Sequence, residues 1–159
     1  MKIFISKLFI WFDKGIKPRV ITFENNRVNV ITGSSSTGKS NIYAIIDYCL
    51  LSGRPNIVFP VINENARWYG LEFNVGDKFF AIARKKPTVD VVPPELYLQY
   101  EPFQDPFYPT SYNSHVNDAR RELDKAFGYK SNNELFYRSS FVFNALTENI
   151  ITSPYDFLN

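Results

Sequence analysis

One eight-residue run in the first third of the chain holds the residue types and spacing that most clearly do chemistry. Gly33, Gly38, Lys39 and Ser40 occupy the fixed positions of the GxxxxGK[ST] pattern. Glycines in this pattern let backbone N–H groups approach a phosphate, the lysine reaches the β- and γ-phosphates, and the hydroxyl coordinates Mg²⁺. The sequence therefore predicts a P-loop for Mg·ATP or Mg·GTP, with Lys39 as the catalytic candidate. The predicted cofactor contacts are Gly33, Ser34, Ser35, Ser36, Thr37, Gly38, Lys39, Ser40 and Asn41.

A P-loop works only between a strand and a helix, and both are predicted around the motif. The run Val28 to Thr32 has the composition of a β-strand. From Asn41 onward, apolar residues recur at helical spacing, and Gly53 with Pro55 predicts the end of that helix. The helical apolar positions are Ile42, Ile45, Ile46 and Cys49.

The rest of the chain alternates between strand and helix patterns. Ile3 to Phe12 and Val20 to Phe23 predict two strands, and Trp68 to Arg84 predicts an antiparallel hairpin that turns at Gly76-Asp77. Prolines crowd residues 87–112, so this segment is predicted to be an irregular surface insertion with, at most, a short edge strand at Leu96 to Leu98.

A second helix is predicted from apolar spacing further along the chain. Asn113 or Ser114 is its predicted N-cap, and Gly128 follows its end. The apolar positions that define it are Val116, Ala119, Leu123, Ala126 and Phe127.

Composition limits the class of protein. The chain has 159 residues, of which 45% are hydrophobic and 21% charged, as expected for one soluble globular unit. A net charge of +2 does not indicate a nucleic-acid-coating protein. The single cysteine, Cys49, excludes an internal disulfide and suits the cytoplasm, where we expect the protein. No apolar run approaches the ~20 residues of a membrane span, so no membrane partner is expected.

A complete nucleotidase also needs an acidic pair after a later apolar strand, to hold Mg²⁺ and polarise water. No such pair follows the motif; the nearest carboxylate, Asp47, lies on the helix after the P-loop and is interpreted as a surface or packing residue. The sequence therefore predicts nucleotide binding without hydrolysis by this chain alone.

The order of elements around Val28 to Ser40, followed by Ile45-Ile46-Asp47-Tyr48-Cys49-Leu50, resembles the N-terminal head lobe of SMC, RecN and RecF-like ATPases. The similarity is greatest to a bacterial SMC-like branch. It implies an α/β fold, the P-loop NTPase fold of an ABC/SMC-like head lobe, over residues 1–159. That lobe has a mixed sheet with the P-loop helix on one side and an antiparallel β-subdomain on the other.

The resemblance also implies what completes the protein. In such ATPases a coiled coil and a C-terminal lobe, both absent from residues 1–159, supply the signature and the acidic pair. Two heads then sandwich ATP, and their dimerisation acts on DNA in repair, chromosome handling or anti-phage defence, with an associated nuclease or accessory subunit. A family glutamine that senses Mg²⁺ has no counterpart here, so Glu148 or Asn144 is its candidate replacement as a metal contact.

Two functions from other classes stay open at this stage. One is a self-contained small P-loop kinase, against which the missing acidic strand counts. The other is a nucleotide-binding module without chemistry.

Several further residue groups have competing interpretations. Lys14 to Arg19 form a loop that approaches the adenine in the resembling heads, whereas Arg84, Lys85 and Lys86 are predicted to be solvated. Cys49 is predicted to be a buried, inert thiol. The aromatic residues of the proline-rich insertion predict an interaction surface or local packing.

Overall fold

The computed structural model describes residues 2–32, 39–54, 57 and 64–129, and the fold is built from six strands and two helices within those ranges. The strands are β1 (Ile3–Trp11), β2 (Arg19–Thr22), β3 (Trp68–Val75), β4 (Lys78–Lys85), β5 (Glu95–Gln99) and β6 (Ser114–His115). The helices are α1 (Lys39–Cys49) and α2 (Val116–Ala126). The order along the chain is β1, β2, α1, β3, β4, β5, β6, α2, which confirms an α/β architecture.

All six strands form one sheet in the order β2-β1-β3-β4-β5-β6, and each neighbouring pair is antiparallel. The predicted hairpin is confirmed, because β3 and β4 pair from Trp68 with Lys85 to Val75 with Lys78, and Gly76 turns with a φ of 57°. This sheet differs from the expected lobe in two respects. No parallel pair occurs in the described part of the chain, and the hairpin is the centre of the sheet rather than a separate layer.

Alternation along the central strands gives the sheet two apolar faces. The helix face packs against α1 and α2, and its large buried side chains include Leu8, Ile10, Tyr69, Leu71, Phe73, Phe80 and Ile82. Helix α1 contributes Ile45, Tyr48 and Cys49 to this core, and α2 contributes Val116, Ala119, Leu123 and Ala126.

The outer face, on the other side of the sheet, is covered by the proline-rich insertion instead of a second layer of regular structure. Phe103 and Phe107 stack on each other and meet Trp11 edge-on, with ring centroids 5.4 and 5.9 Å from the indole. The Trp11 indole N–H donates to the carbonyl of Phe107 at 2.9 Å. The part of the insertion that covers this face is irregular, as predicted, and Phe103, Phe107 and Tyr108 serve local packing. The predicted short strand occurs as β5, but it lies between β4 and β6 and not at an edge of the sheet.

A buried carboxylate on β3 links the proline-rich insertion to the sheet. Glu72 points from β3 to the outer face and is 2% exposed. Its Oε1 accepts the backbone N–H of Phe103 at 2.7 Å, and its Oε2 lies 3.6 Å from the ammonium of Lys7. Both oxygens thus have a partner, as a buried charge requires.

The prediction of a strand from Val28 to Thr32 is wrong. Residues 28–32 are exposed and adopt no regular structure. The side-chain amide of Asn29 instead closes a turn, accepting from the N–H of Glu24 at 2.8 Å and donating to its carbonyl at 2.9 Å. A strand also needs a neighbour for its backbone groups, and none of the described strands lies beside this segment.

Both helices occur where apolar spacing predicted them, but two of their ends differ in detail. The N-cap of α2 is His115, whose Nδ1 accepts the N–H of Asn117 at 3.2 Å, whereas Asn113 bonds both backbone groups of Leu98. Gly128 follows α2 with a φ of 78°, as predicted. After α1, Leu51 rather than Gly53 takes the left-handed conformation, with a φ of 69°.

Gly70 is the one strand position where a side chain would collide with the outer-face core. A Cβ built on it would lie 2.4 and 2.5 Å from Cζ3 and Cη2 of Trp11, whose ring is 1% exposed. We expect Gly70→Ala to lower the free energy of unfolding by about 1–3 kcal/mol, because the indole must leave its packed position. Urea unfolding followed by tryptophan fluorescence measures this loss.

Gly53→Ala is the matched control, because its Cβ would meet only the Nη2 of Arg120 at 3.9 Å. This variant should unfold within about 0.5 kcal/mol of the parent. Equal stability of the Gly70→Ala and Gly53→Ala proteins would contradict the packing of Trp11 on Gly70.

Candidate functional site

The described part of the predicted site is the first turn of α1. The helix begins at Lys39, directly after residues 33–38. Gly33, Ser34, Ser35, Ser36, Thr37 and Gly38 lie outside the described residues. Lys39 is partly exposed and Asn41 is 5% exposed, while Ser40 lies between them in the helix.

The first turn of α1 has the electrostatic character of an anion site. It contains Lys39 and no acidic residue. The helix dipole adds a partial positive charge at the same place. A phosphate at this end of the helix would therefore meet favourable charge from both the backbone and the lysine.

Buried aromatic and aliphatic side chains hold α1 on the helix face of the sheet. Ile45, Tyr48 and Cys49 are fully buried there. Tyr48 packs edge-on against Tyr69 with a centroid distance of 6.3 Å, and its hydroxyl donates to the carbonyl of Lys85 at 2.7 Å. Burial raises the pKa of the Tyr48 and Tyr69 hydroxyls well above their usual range, so both stay protonated near neutral pH.

A buried arginine fastens the C-terminal end of α1. Arg84 projects from β4, is 1% exposed, and its guanidinium lies 3.9 Å from the centroid of the Tyr48 ring. Its Nη1 donates to the carbonyls of Tyr48 at 2.7 Å and Ser52 at 3.1 Å, and its Nη2 donates to Pro93 at 3.1 Å. The cation thus donates to carbonyls at and just beyond the end of the helix, where a positive charge also complements the helix dipole. The Tyr48 carbonyl also accepts the N–H of Leu51 at 3.0 Å.

A second arginine contributes at the same end. Arg120 of α2 donates from Nη2 to the carbonyl of Leu51 at 2.9 Å. The two arginines link α1 to β4 and to α2. Sequence patterns missed the role of Arg84, which was predicted to be solvated. The apolar alternation along β4 places residue 84 on the helix face, so that signal could have identified Arg84 as buried.

The structure shows the surroundings of several other residues with competing interpretations. Cys49 is fully buried, as predicted, and burial raises the pKa of its thiol to about 12, with Arg84 opposing the shift. Lys85 is exposed, as predicted, and Lys86 is partly exposed. Arg67 pairs with Asp13 through an Nε–Oδ1 contact of 2.7 Å. Glu148 and Asn144 lie outside the described residues.

The loop from Lys14 to Arg19 connects β1 to β2 and is largely exposed. Lys17 lines a pocket with Phe9 and Trp11, whose side chains belong to the outer face of the sheet. The helix that carries Lys39 packs on the opposite face. The adenine contact expected of this loop stays a prediction, and Lys17 is positioned for contacts on the other side of the sheet.

Neither a three-residue metal cluster nor a membrane-spanning helix occurs among the described residues. Within residues 2–32, 39–54, 57 and 64–129, no group of three or more His, Cys, Asp or Glu side chains could hold a metal ion. In the same ranges, neither helix has the length and apolar character needed to pass through a bilayer.

No protein-family model, curated protein or solved structure matches this chain. The functional argument therefore rests on the residues of the chain itself. They provide a helix N-terminus with Lys39 directly after a glycine-rich run, and a buried arginine that fixes the other end of that helix.

Arg84→Met tests whether the buried cation fixes α1. The substitution leaves the carbonyls of Tyr48, Ser52 and Pro93 without this donor, so we expect the free energy of unfolding to fall by about 2–4 kcal/mol. Arg84→Lys keeps the charge but not the planar fork, and it should recover part of the loss. Chemical denaturation measures both values.

Lys85→Met is the control, since Lys85 is the next residue of β4 and its side chain is exposed. It should change stability by less than about 0.5 kcal/mol. If Arg84→Met and Lys85→Met were equally mild, the guanidinium would not be what holds the helix end.

Proposed function

We propose that this chain is the ATP-binding N-terminal lobe of an SMC-like ATPase head. The observation that carries the proposal is the complete run from Gly33 to Ser40 together with a helix that begins at Lys39. In this proposal the backbone of the run surrounds the β-phosphate, and Lys39 contacts the β- and γ-phosphates. Ser40 would supply the hydroxyl that coordinates Mg²⁺.

Exposed apolar residues directly before the motif support the proposal that another lobe completes the site. Val28 is 89% exposed, Val30 73% and Ile31 43%. The neighbouring residues Arg27 and Asn29 line a hollow of about 340 Å³ that also has the apolar side chains of Ile5 and Ile46 in its lining. Large exposed apolar surface of this kind marks an interaction site.

We assign that surface to a C-terminal head lobe. A strand from this lobe beside Val28 to Thr32 would give the segment the neighbour that it lacks among the described strands. The same lobe would bring the acidic pair that this chain does not carry. Dimerisation with a second head, action on DNA, and a role in repair, chromosome handling or defence are further parts of the proposal.

A self-contained P-loop kinase differs from this proposal in what the chain does by itself. A kinase would form ADP in proportion to an added acceptor. A head lobe without its partner lobe would bind ATP and not hydrolyse it. ATP turnover by the purified chain therefore distinguishes a kinase from a lobe.

Lys39→Ala tests the nucleotide site directly. The variant should bind Mg·ATP at least roughly a hundredfold more weakly, because it loses charge-assisted hydrogen bonds to the β- and γ-phosphates. Titration calorimetry gives the affinity, and circular dichroism should show an unchanged fold, since Lys39 is partly exposed. Lys78→Ala, at an exposed position of the β4 start, is the control and should bind as the parent does. Equal affinity of the Lys39→Ala variant and the parent would overturn the P-loop assignment.

Binding and hydrolysis should separate in the isolated chain. We expect turnover far below the roughly 1 s⁻¹ at the low end of typical enzymes, because P-loop contacts alone do not orient the attacking water. A steady-state phosphate-release assay measures this. Hydrolysis at or above that rate, abolished by Lys39→Ala, would favour a self-contained enzyme over a lobe.

A further inference from the structure

Strand β2 leaves one edge of the sheet open on the side away from β1. It is the terminal strand in the order β2-β1-β3-β4-β5-β6, and no described strand pairs with its outer edge. Its four residues, Arg19–Thr22, are mostly exposed. An open edge of this kind offers backbone groups to an added strand.

The pairing of β2 with β1 determines which backbone groups the edge presents. The N–H of Phe23 donates to the carbonyl of Ser6 at 2.9 Å, so Phe23 faces β1. Because antiparallel pairs alternate, Ile21 and Arg19 also face β1. The N–H and C=O groups of Val20 and Thr22 therefore point away from the sheet.

A pocket lies beside this edge on the outer face. Val20 pairs with Phe9, so the two side chains share that face, and both line a pocket of about 170 Å³. The insertion closes the other side of the pocket with Phe103 and Phe107. An added strand would place the side chain that lies next to Val20 on the same face, at the mouth of this pocket.

The charges around the pocket favour an acidic occupant. Lys7 and Lys17 line it, and Lys14 is exposed in the adjoining loop. Arg19 pairs with Ile10 and is exposed on the opposite face of the same edge strand. Asp105 is the acidic residue in the lining. Two nearby carboxylates are already engaged, since Glu72 contacts Lys7 and the N–H of Phe103, and Asp13 pairs with Arg67.

We propose that the edge of β2 and this pocket bind an extended acidic segment of a partner protein. The segment adds a strand along Val20 and Thr22 and places one large apolar side chain in the pocket. Its acidic residues meet Lys17 and the exposed charges of the neighbouring loop. This site lies on the face opposite α1, so the proposal does not depend on nucleotide binding.

Selection from a display library of random peptides of about nine residues tests the proposal, with the full chain as bait. Enriched peptides should carry acidic residues around one large apolar residue. Fluorescence anisotropy of a labelled selected peptide then gives its affinity. Binding should weaken roughly tenfold in Val20→Pro, which removes an outward N–H, and should weaken in Lys17→Glu at low salt.

Val20→Thr is the matched control, because it keeps the N–H and the β-branched shape, and it should bind within about threefold of the parent. If Val20→Pro fails to fold, N-methylation of the selected peptide removes its own backbone donors without altering the protein. The methylated peptide should then bind roughly tenfold more weakly than the unmodified one.

Three results of the peptide experiments would overturn the proposal. They are no enrichment over a bait-free control, selection of basic peptides, and binding that neither Val20→Pro nor N-methylation weakens. A dimer of the chain that sedimentation detects and Val20→Pro dissolves would also overturn it, by assigning the edge to a second copy.

Discussion

The position of α1, and with it the candidate nucleotide site, depends on the buried guanidinium of Arg84. A cation that is 1% exposed is costly unless hydrogen bonds compensate for the lost water, and here carbonyls at the end of α1 and in the loop at Pro93 accept from its Nη1 and Nη2. The Tyr48 ring supplies a further favourable contact. Because α1 is a single rigid helix of 11 residues, fixing its C-terminal end also fixes where Lys39 lies.

The outer face of the sheet also buries a charged group, in this case the carboxylate of Glu72. Glu72 is buried among aromatic side chains, and its two oxygens meet the Phe103 N–H and the Lys7 ammonium. These contacts hold the segment around Phe103 against the sheet, where prolines prevent it from forming regular structure. The bare glycine at position 70 leaves room for Trp11, so the indole can lie between the sheet and this cover. A small protein thereby covers both faces of one sheet with few elements.

Local patterns predicted the elements whose partners lie close in sequence. The hairpin of β3 and β4 follows from alternation around Gly76-Asp77, and both helices follow from apolar spacing. The segment from Val28 to Thr32 has equally strong strand character, yet a strand forms only with a neighbour, and its valines stay exposed. His115 replaced the expected cap because Asn113 is occupied by Leu98 of β5, a contact that single-sequence patterns do not reveal.

The same distinction applies to the candidate site. The motif and the helix are contiguous in sequence, so the sequence predicted a helix from Asn41 onward, and α1 begins two residues earlier, at Lys39. The role of Arg84 could not be predicted in the same way, since its partners Tyr48, Ser52 and Pro93 come from two other segments of the chain. Residues 33–38 lie outside the described structure, so the loop stays a sequence-based prediction.

Strand β1 is where the two proposed binding functions meet. Its Leu8 and Ile10 pack on the helix face beneath α1, whereas Phe9 and Trp11 form part of the outer face beside the β2 edge. Alternation places these two sets on opposite sides of one backbone, so neither set touches the other's ligand. Contacts on one face would influence the other through the strands that contribute to both faces, of which β1 is one. That strand is held by pairing with β3 along nearly its whole length, from Ile3 to Trp11, which resists such movement. The proposed nucleotide binding and the proposed partner binding should therefore be largely independent in this chain, and any coupling between them would come from elements that dock against it.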